Sequence, residues 1–208
     1  EEATFEFHLV ATSKEPGVCL NKPAKDKAKD TFDLKIDQGA NPDLTVENGG
    51  QSASTKKPGQ GARVTITSYD WGAYGRLWVR AKVEGRRPET LTAHLEGEPG
   101  KTRLIIPKDD NDNHIADYWE EKQEMMGEAT WDGAWKPAGQ KTEGDGISLY
   151  EKYRGFELGI GNQLKHEQLD APYKYIFMYD PDGVVLRTMT DPRSMGSSPS
   201  AVTKCRIV

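Results

Sequence analysis

Residues 109–120, DDNDNHIADYWE in sequence letters, bring oxygen-bearing side chains together at nearly every second position. Calcium is a hard cation that takes about six to eight oxygen ligands. A twelve-residue calcium loop supplies them from positions 1, 3, 5, 7, 9 and 12, position 7 through its backbone carbonyl. The spacing therefore predicts a Ca²⁺ site with the ligands Asp109, Asn111, Asn113, Ile115 (carbonyl), Asp117 and Glu120. With three carboxylates and two amides among its donors, we expect a site of moderate affinity.

The register of this loop can be fixed by its sixth position, which must turn sharply and is usually a glycine with positive φ. With Glu120 at position 12, the sixth residue is His114, and histidine is among the residues enriched at positive φ. Sliding the frame by one, so that Glu121 stands at position 12, would put the β-branched Ile115 there, where it would be an outlier. The 109–120 register is therefore the prediction.

The alternative to a calcium site is an acidic surface turn in front of a helix, because Asp and Asn are common in turns. A mere turn does not need the glutamate at position 12. Charge distribution also favours a cation here: residues 1–107 carry a net charge of +1 and residues 108–208 carry −6. Bound divalent cations would offset that excess.

A second element, GDGISLYEKYRGF at 144–156, follows the loop. Together the two stretches resemble the Asp/Asn-rich calcium loops of thrombospondin type 3-like and EF-hand-like modules of secreted bacterial proteins, over about residues 105–160. The resemblance implies structural Ca²⁺ and an extracellular scaffold role. Two departures stand out: His114 replaces the usual glycine, and the second element has Lys141 and Lys152 at its positions 1 and 12. Its remaining oxygen donors form a weaker candidate site: Glu143, Asp145, Ile147 and Glu151.

Other chemistry-bearing patterns are weak. His166 to Asp170 (HEQLD) is a near miss to the zinc-protease motif H-E-x-x-H, with Asp in place of the second histidine. The four histidines are far apart, and no nucleophile elbow, phosphate loop or dinucleotide fingerprint occurs. Trp131 and Trp135 lie in a Gly-rich stretch and either cover the calcium helices or form a platform for sugar. We therefore expect no enzyme activity.

Periodicity predicts a mainly β fold. Alternating apolar residues indicate strands at 3–11, 31–37, 44–46, 63–69, 76–83, 90–95 and 102–107, with a long loop over 38–61. We expect an N-terminal immunoglobulin-like β-sandwich over residues 1–107. A small calcium-stabilised α+β segment over residues 108–208 would follow, with helices at 117–126 and 147–154, a hairpin spanning 173–189 and a last strand at 205–208.

The two cysteines, Cys19 and Cys205, lie near opposite ends and either pair or are unrelated thiols. A chain that opens directly on a strand fits an exported protein whose leader has been removed. The resulting hypothesis is an extracellular calcium-binding structural or adhesive protein that assembles with itself by strand exchange, as in a fibre, or binds a surface glycan or protein. The alternatives are a carbohydrate-binding module and an accessory domain of a secreted hydrolase. Nothing indicates nucleic acid or a membrane span.

Overall fold

The computed structural model describes residues 2–22, 31–83, 89–124, 147–160, 164–171, 173–180 and 201–207. It is mainly β, with 37% strand against 11% helix and antiparallel sheets, so the expected class is confirmed. The chain forms two compact units: residues 1–18 with 23–118, and residues 19–22 with 119–208. The first unit therefore includes the acidic loop as far as Tyr118.

Within its described residues, the first unit has eight strands: β1 Ala3–Val10, β2 Leu34–Ile36, β3 Leu44–Glu47, β4 Ser52–Thr55, β5 Ile66–Ser68, β6 Gly75–Val83, β7 Glu89–Thr92 and β8 Leu104–Ile106. The larger sheet has the order β3-β4-β1-β6-β7, with β8 also paired to β6, and β2 pairs β5 in a second sheet. The prediction of a loop over 38–61 was wrong at β4. Its Ser-Ala-Ser-Thr sequence has no large apolar residue, and pairing with β1 and β3 makes it a strand.

Both sheets contribute to one core in this unit. Phe7 and Leu9 of β1 are buried on the same face because alternate residues of a strand point the same way. They join Leu34 and Ile36 of β2 and Leu77 of β6. Each such side chain contributes about 1.5–3 kcal/mol when fully buried. The opposite face of β1 and β6 carries polar and aromatic residues, including His8 stacked on Trp78.

A short helix, α1 (Asp117–Lys122), follows the acidic loop. The helix was predicted to span residues 117–126, but α1 ends at Lys122. Residues 125 and 126 lie outside the described range. The second unit continues with these elements: α2 Leu149–Arg154, β9 Phe156–Ile160, β10 Lys165–Glu167, β11 Lys174–Asp180 and β12 Ala201–Ile207. Its sheet has the order β10-β9-β12-β11.

Strand β9 was not among the strands predicted from the sequence. Its Phe156 and Leu158 nevertheless alternate as in a strand. The partner of β11 is β12, and the stretch 184–189, which was predicted to pair with it, lies outside the described residues. Among the helices described, none is long and apolar enough to cross a membrane.

Candidate calcium-binding loop

The backbone of residues 109–116 wraps around the Asp109 carboxylate. Asp109 Oδ2 accepts a hydrogen bond of 2.7 Å from His114 N, and Oδ1 accepts one of 3.2 Å from Asn113 N. His114 has φ of 68°, so the turn expected at the sixth position is confirmed. Asp112 also has positive φ, at 60°, which the sequence did not indicate.

The two asparagine side chains repeat this pattern further along the loop. Asn111 Oδ1 accepts a hydrogen bond of 3.2 Å from Asn113 N, and Asn113 Oδ1 accepts one of 2.8 Å from Ile115 N. Calcium takes amide and carboxylate oxygens as ligands, so these three side chains carry donors of the right chemical kind. The loop is therefore held by oxygens that could also coordinate a hard cation.

Asp117 closes the loop at the start of α1. Its Oδ1 accepts a hydrogen bond of 2.8 Å from Asp110 N, and its backbone N–H donates to Lys108 O at 2.9 Å. Lys108 Nζ lies 2.8 Å from Asp117 Oδ2 and 2.6 Å from Asp110 Oδ2. Hydrogen bonds to Asp110 and then Asp117 raise the pKa of the Lys108 ammonium, which stays charged. Burial opposes ionisation of Asp117, but the Lys108 and Asp110 hydrogen bonds outweigh it, so the pKa of Asp117 is lowered.

The predicted carboxylate ligands are buried. Asp109 is 3% exposed, Asp117 is 8% and Glu120 is 1%. Asp117 and Glu120 stand three residues apart in α1, and residues at that spacing lie on one face of a helix. Buried carboxylates need compensating positive charge, and Lys108, whose side chain is mostly exposed, supplies one such charge to Asp117.

A search restricted to the described residues finds no group of three or more His, Cys, Asp or Glu side chains that could hold a metal ion. The three predicted carboxylates, Asp109, Asp117 and Glu120, are therefore not placed together as such a group, and the other predicted donors are two amides and a backbone carbonyl. Lys108 also occupies one oxygen of Asp117. The donor chemistry fits calcium, which takes carboxylate, amide and backbone oxygens.

Two contacts join the loop to β6 and the residue before it. The His114 ring stacks on the Tyr74 ring, with centroids 3.8 Å apart and planes 3° apart. Arg76 Nη2 donates to both oxygens of Asp112, at 2.5 and 2.7 Å. That hydrogen bond is the main reason why the pKa of Asp112 is lowered. The residues on β6 that hold the loop are far from it in sequence, so no local pattern could reveal them.

A pocket of about 200 Å³ opens beside these contacts. Loop residues Asp109, Asp112 and His114 form one side. The other residues that line it come from the ends of β1, β6 and β8 and their flanks: Ala11, Tyr74, Gly75, Arg76, Ile105 and Pro107. All of these residues belong to the first unit. No local pattern in the sequence indicates this pocket.

The weaker candidate element is organised differently. Ser148 is the N-cap of α2 and accepts from Glu151 N, while Glu151 Oε2 accepts from Ser148 N at 2.7 Å, which is a capping box. Lys152 is 1% exposed, and its Nζ donates to Tyr173 O at 2.7 Å and to Ala171 O at 3.3 Å. An ammonium thus lies buried where a calcium loop would have its last carboxylate. Ile147 directly precedes the cap, and Glu143 and Asp145 lie outside the described residues.

Two further candidates from the sequence can be placed, and a third lies outside the described residues. His166 lies in strand β10 and its Nε2 is 2.7 Å from Arg154 O, so the near miss to a zinc-protease motif is not on a helix. Trp131 and Trp135 are outside the described residues. Cys19 is a buried free thiol whose Sγ lies 3.4 Å from Asn21 Oδ1, and the side chain of Cys205 is outside the described set.

Comparison of the chain with protein-family models, with curated proteins and with solved structures finds no match in any of the three. The functional argument therefore depends on the chemistry of the loop and its surroundings.

Proposed function

We propose that the chain is a non-enzymatic calcium-binding structural module whose loop at residues 109–120 holds Ca²⁺. The observation that carries the proposal is the burial of three carboxylates at loop positions 1, 9 and 12, Asp109, Asp117 and Glu120. A divalent cation would add compensating positive charge among them. The positive φ of His114 supports the register with Glu120 at position 12.

The ion's role in this proposal is structural. Ligand binding to the folded state alone stabilises it by about 2.7 kcal/mol at a concentration one hundred times the Kd. With three carboxylates, the affinity suits the calcium levels met by extracellular modules rather than those met by tight cytosolic buffers. An exported location, in an adhesive or surface scaffold, is part of the same proposal.

Calorimetric calcium titration, together with thermal unfolding with calcium or EGTA, tests the site on the wild type and Glu120→Gln. We expect calcium to raise the Tm, and the substitution to weaken binding about tenfold or more by removing the carboxylate at position 12. Glu121→Gln is the matched control, because Glu121 is the adjacent exposed acid and would be position 12 in the shifted register. Equal loss of affinity in both variants would contradict the register, and absence of binding in the wild type would remove the calcium site.

Lys108→Met should change calcium affinity in the opposite direction from Glu120→Gln. Lys108 contacts Asp117, so its ammonium competes with a cation for that carboxylate. Because the side chain of Lys108 is 74% exposed, the competition is modest, and we expect calcium affinity to rise about two- to fivefold. Lys101→Met, which removes an exposed lysine paired with Glu98, is the control. Unchanged or weaker binding in Lys108→Met would argue against Asp117 as a ligand.

We also propose that the first unit is an immunoglobulin-like sandwich, which the shared core of its two sheets supports. The second unit would be the small calcium-stabilised α+β segment. An NMR structure would test both assignments: nuclear Overhauser contacts between Leu34 or Ile36 and Phe7 are expected, and strand connections unlike those of a Greek-key sandwich would contradict the first.

Self-assembly by strand exchange is a further part of the proposal. β1 lies between β4 and β6 and pairs with β6 along all eight of its residues, so an incoming copy of this strand would find two partner edges. Deleting residues 2–11 should open that slot, and a synthetic peptide of the same sequence should fill it and restore the unfolding transition. Sedimentation of the full chain as a strict monomer at every concentration would exclude assembly.

A further inference from the structure

The pocket beside the loop has a lining with three chemical parts. Tyr74 and His114 supply stacked rings, Arg76 and Asp112 supply a hydrogen-bonded donor and acceptor, and Ile105 with Pro107 supplies apolar surface. A ligand that suits this lining must present polar groups and apolar faces on one small body.

The volume of the pocket limits which ligands it can hold. Pockets that enclose drug-sized ligands have volumes of about 300–1,000 Å³. This pocket, at about 200 Å³, takes something smaller. A single sugar ring is of that order, and its flat C–H face packs against aromatic rings while its hydroxyls point outward.

The charges that line the pocket limit the class of ligand further. The positive charge of Arg76 is offset by Asp112, and Asp109 adds a negative charge to the same wall. An anionic ligand is therefore disfavoured. Sugar hydroxyls are neutral and can both donate and accept. The Arg76–Asp112 pair uses Nη2 of the guanidinium, which carries N–H donors on two further nitrogens. The carboxylate of Asp112 is 58% exposed and can accept more than the bonds it already has.

We propose that this pocket binds one neutral hexose unit, with Arg76 and Asp112 engaging neighbouring hydroxyls and the Tyr74–His114 pair lining the sugar's apolar face. This inference deepens the proposed function and rests on it in one respect: Asp109, Asp112 and His114 belong to the calcium loop, so calcium that orders the loop also orders one wall of the pocket. Hexose binding should therefore be stronger with calcium than with EGTA.

Saturation-transfer-difference NMR on the full chain, with methyl glycosides of glucose, galactose and mannose as probes, tests the proposal. At least one glycoside should show saturation transfer in the presence of calcium. Arg76→Gln should lower its affinity about tenfold or more, because hydrogen bonds to a charged group are lost. Tyr74→Ala should abolish the signal.

Trp71→Ala is the matched control. Trp71 is an aromatic residue of the same unit that is 57% exposed and does not line the pocket. Its removal should leave the signal unchanged. Thermal unfolding of each variant identifies any that fails to fold, and Asp112→Asn, which keeps the size of the side chain, then carries the test in place of Tyr74→Ala.

The outcomes separate the two proposals, because calcium is titrated in the same samples without sugar. Calcium binding without saturation transfer from any of the three glycosides overturns the hexose pocket and leaves the calcium site intact. Saturation transfer without calcium binding supports the pocket and overturns the calcium site together with the coupling. A signal that survives in Arg76→Gln and Asp112→Asn but disappears in Trp71→Ala overturns the assignment to this pocket.

Discussion

The acidic loop at 109–120 and the element around α2 look alike in sequence but differ in how their charged residues are used. In the loop, the Asp109 carboxylate and the Asn113 amide oxygen accept hydrogen bonds from backbone N–H groups. In the second element, Glu151 completes a capping box and Lys152 donates to two carbonyls from a buried position. The residue at the twelfth position separates the two cases, because a buried ammonium excludes the cation that a carboxylate would bind.

Among substitutions that test this difference, Lys152→Met should cause the largest loss in the free energy of unfolding. Removing the ammonium leaves Tyr173 O and Ala171 O without that donor, and an unsatisfied buried carbonyl costs about 1–3 kcal/mol. We expect a loss of about 2–3 kcal/mol in the free energy of unfolding, measured by urea denaturation, with calcium affinity unchanged. Lys165→Met, at an exposed lysine of β10, should cost little. A large change in calcium affinity would show that the two elements are not independent.

The backbone at His114 gives the next largest effect. A β-branched residue at positive φ is strained, whereas asparagine tolerates that conformation, and the difference is about 1–2 kcal/mol. His114→Val should therefore be less stable than His114→Asn by that amount, although both lose the stack on Tyr74. Denaturation of the pair in calcium measures the difference. Equal stabilities would mean that the turn at His114 does not form in solution.

The capping box predicts a smaller effect in the second element. Ser148→Ala should cost about 1 kcal/mol, because the N-cap side chain no longer accepts from Glu151 N. Glu151→Gln should cost little, since Gln serves equally well in a capping box. If Glu151 instead binds calcium, removing its charge would weaken a second binding event in the calorimetric titration, and the contrast between the two elements would break.

The smallest effect concerns acid stability of the loop. Because the Arg76 hydrogen bond lowers the pKa of Asp112, the pair stabilises the fold fully above the unfolded-state pKa of about 3.9. That stabilisation is lost as the pH falls through the lower folded-state pKa. The side chain of Asp112 is 58% exposed, so its contribution is below about 1 kcal/mol and should shrink further in salt. The urea midpoint should depend less on pH, between pH 6 and about 2, in Asp112→Asn than in the wild type. Identical pH dependence in the two proteins would mean that the Arg76–Asp112 pair does not contribute to acid stability.

Local patterns predicted what local physics determines. Alternation located β1 and β6, and the residue type at the sixth loop position predicted the positive φ of His114. The helix predicted at 147–154 corresponds to α2, which has Ser148 as its N-cap and Gly155 as its C-cap. Glycine is required at residue 155, because φ is 75° and an added Cβ would lie 2.4 Å from Glu167 O.

What the sequence did not reveal depends on partners distant in the chain. β4 is a strand because β1 and β3 flank it, not because its own residues favour one. The Tyr74–His114 stack and the Arg76–Asp112 hydrogen bond join residues about forty positions apart in the chain. No local sequence pattern near these residues indicates either contact. Lys108 was the exception, since a lysine directly before an acidic run could have been recognised as an internal counter-ion.

The buried thiol of Cys19 allows local opening of the chain around it to be measured by thiol labelling. Its side chain is 1% exposed, and burial raises the pKa of the thiol, so both access and the reactive thiolate are suppressed in the folded chain. Labelling then requires an opening event, and in a Cys205→Ser background Cys19 is the sole thiol. When reclosing is fast, the labelling rate relative to that of the unfolded chain equals the opening equilibrium constant. The rate with and without calcium would thus report how far an ion at the loop lowers the opening equilibrium constant around Cys19.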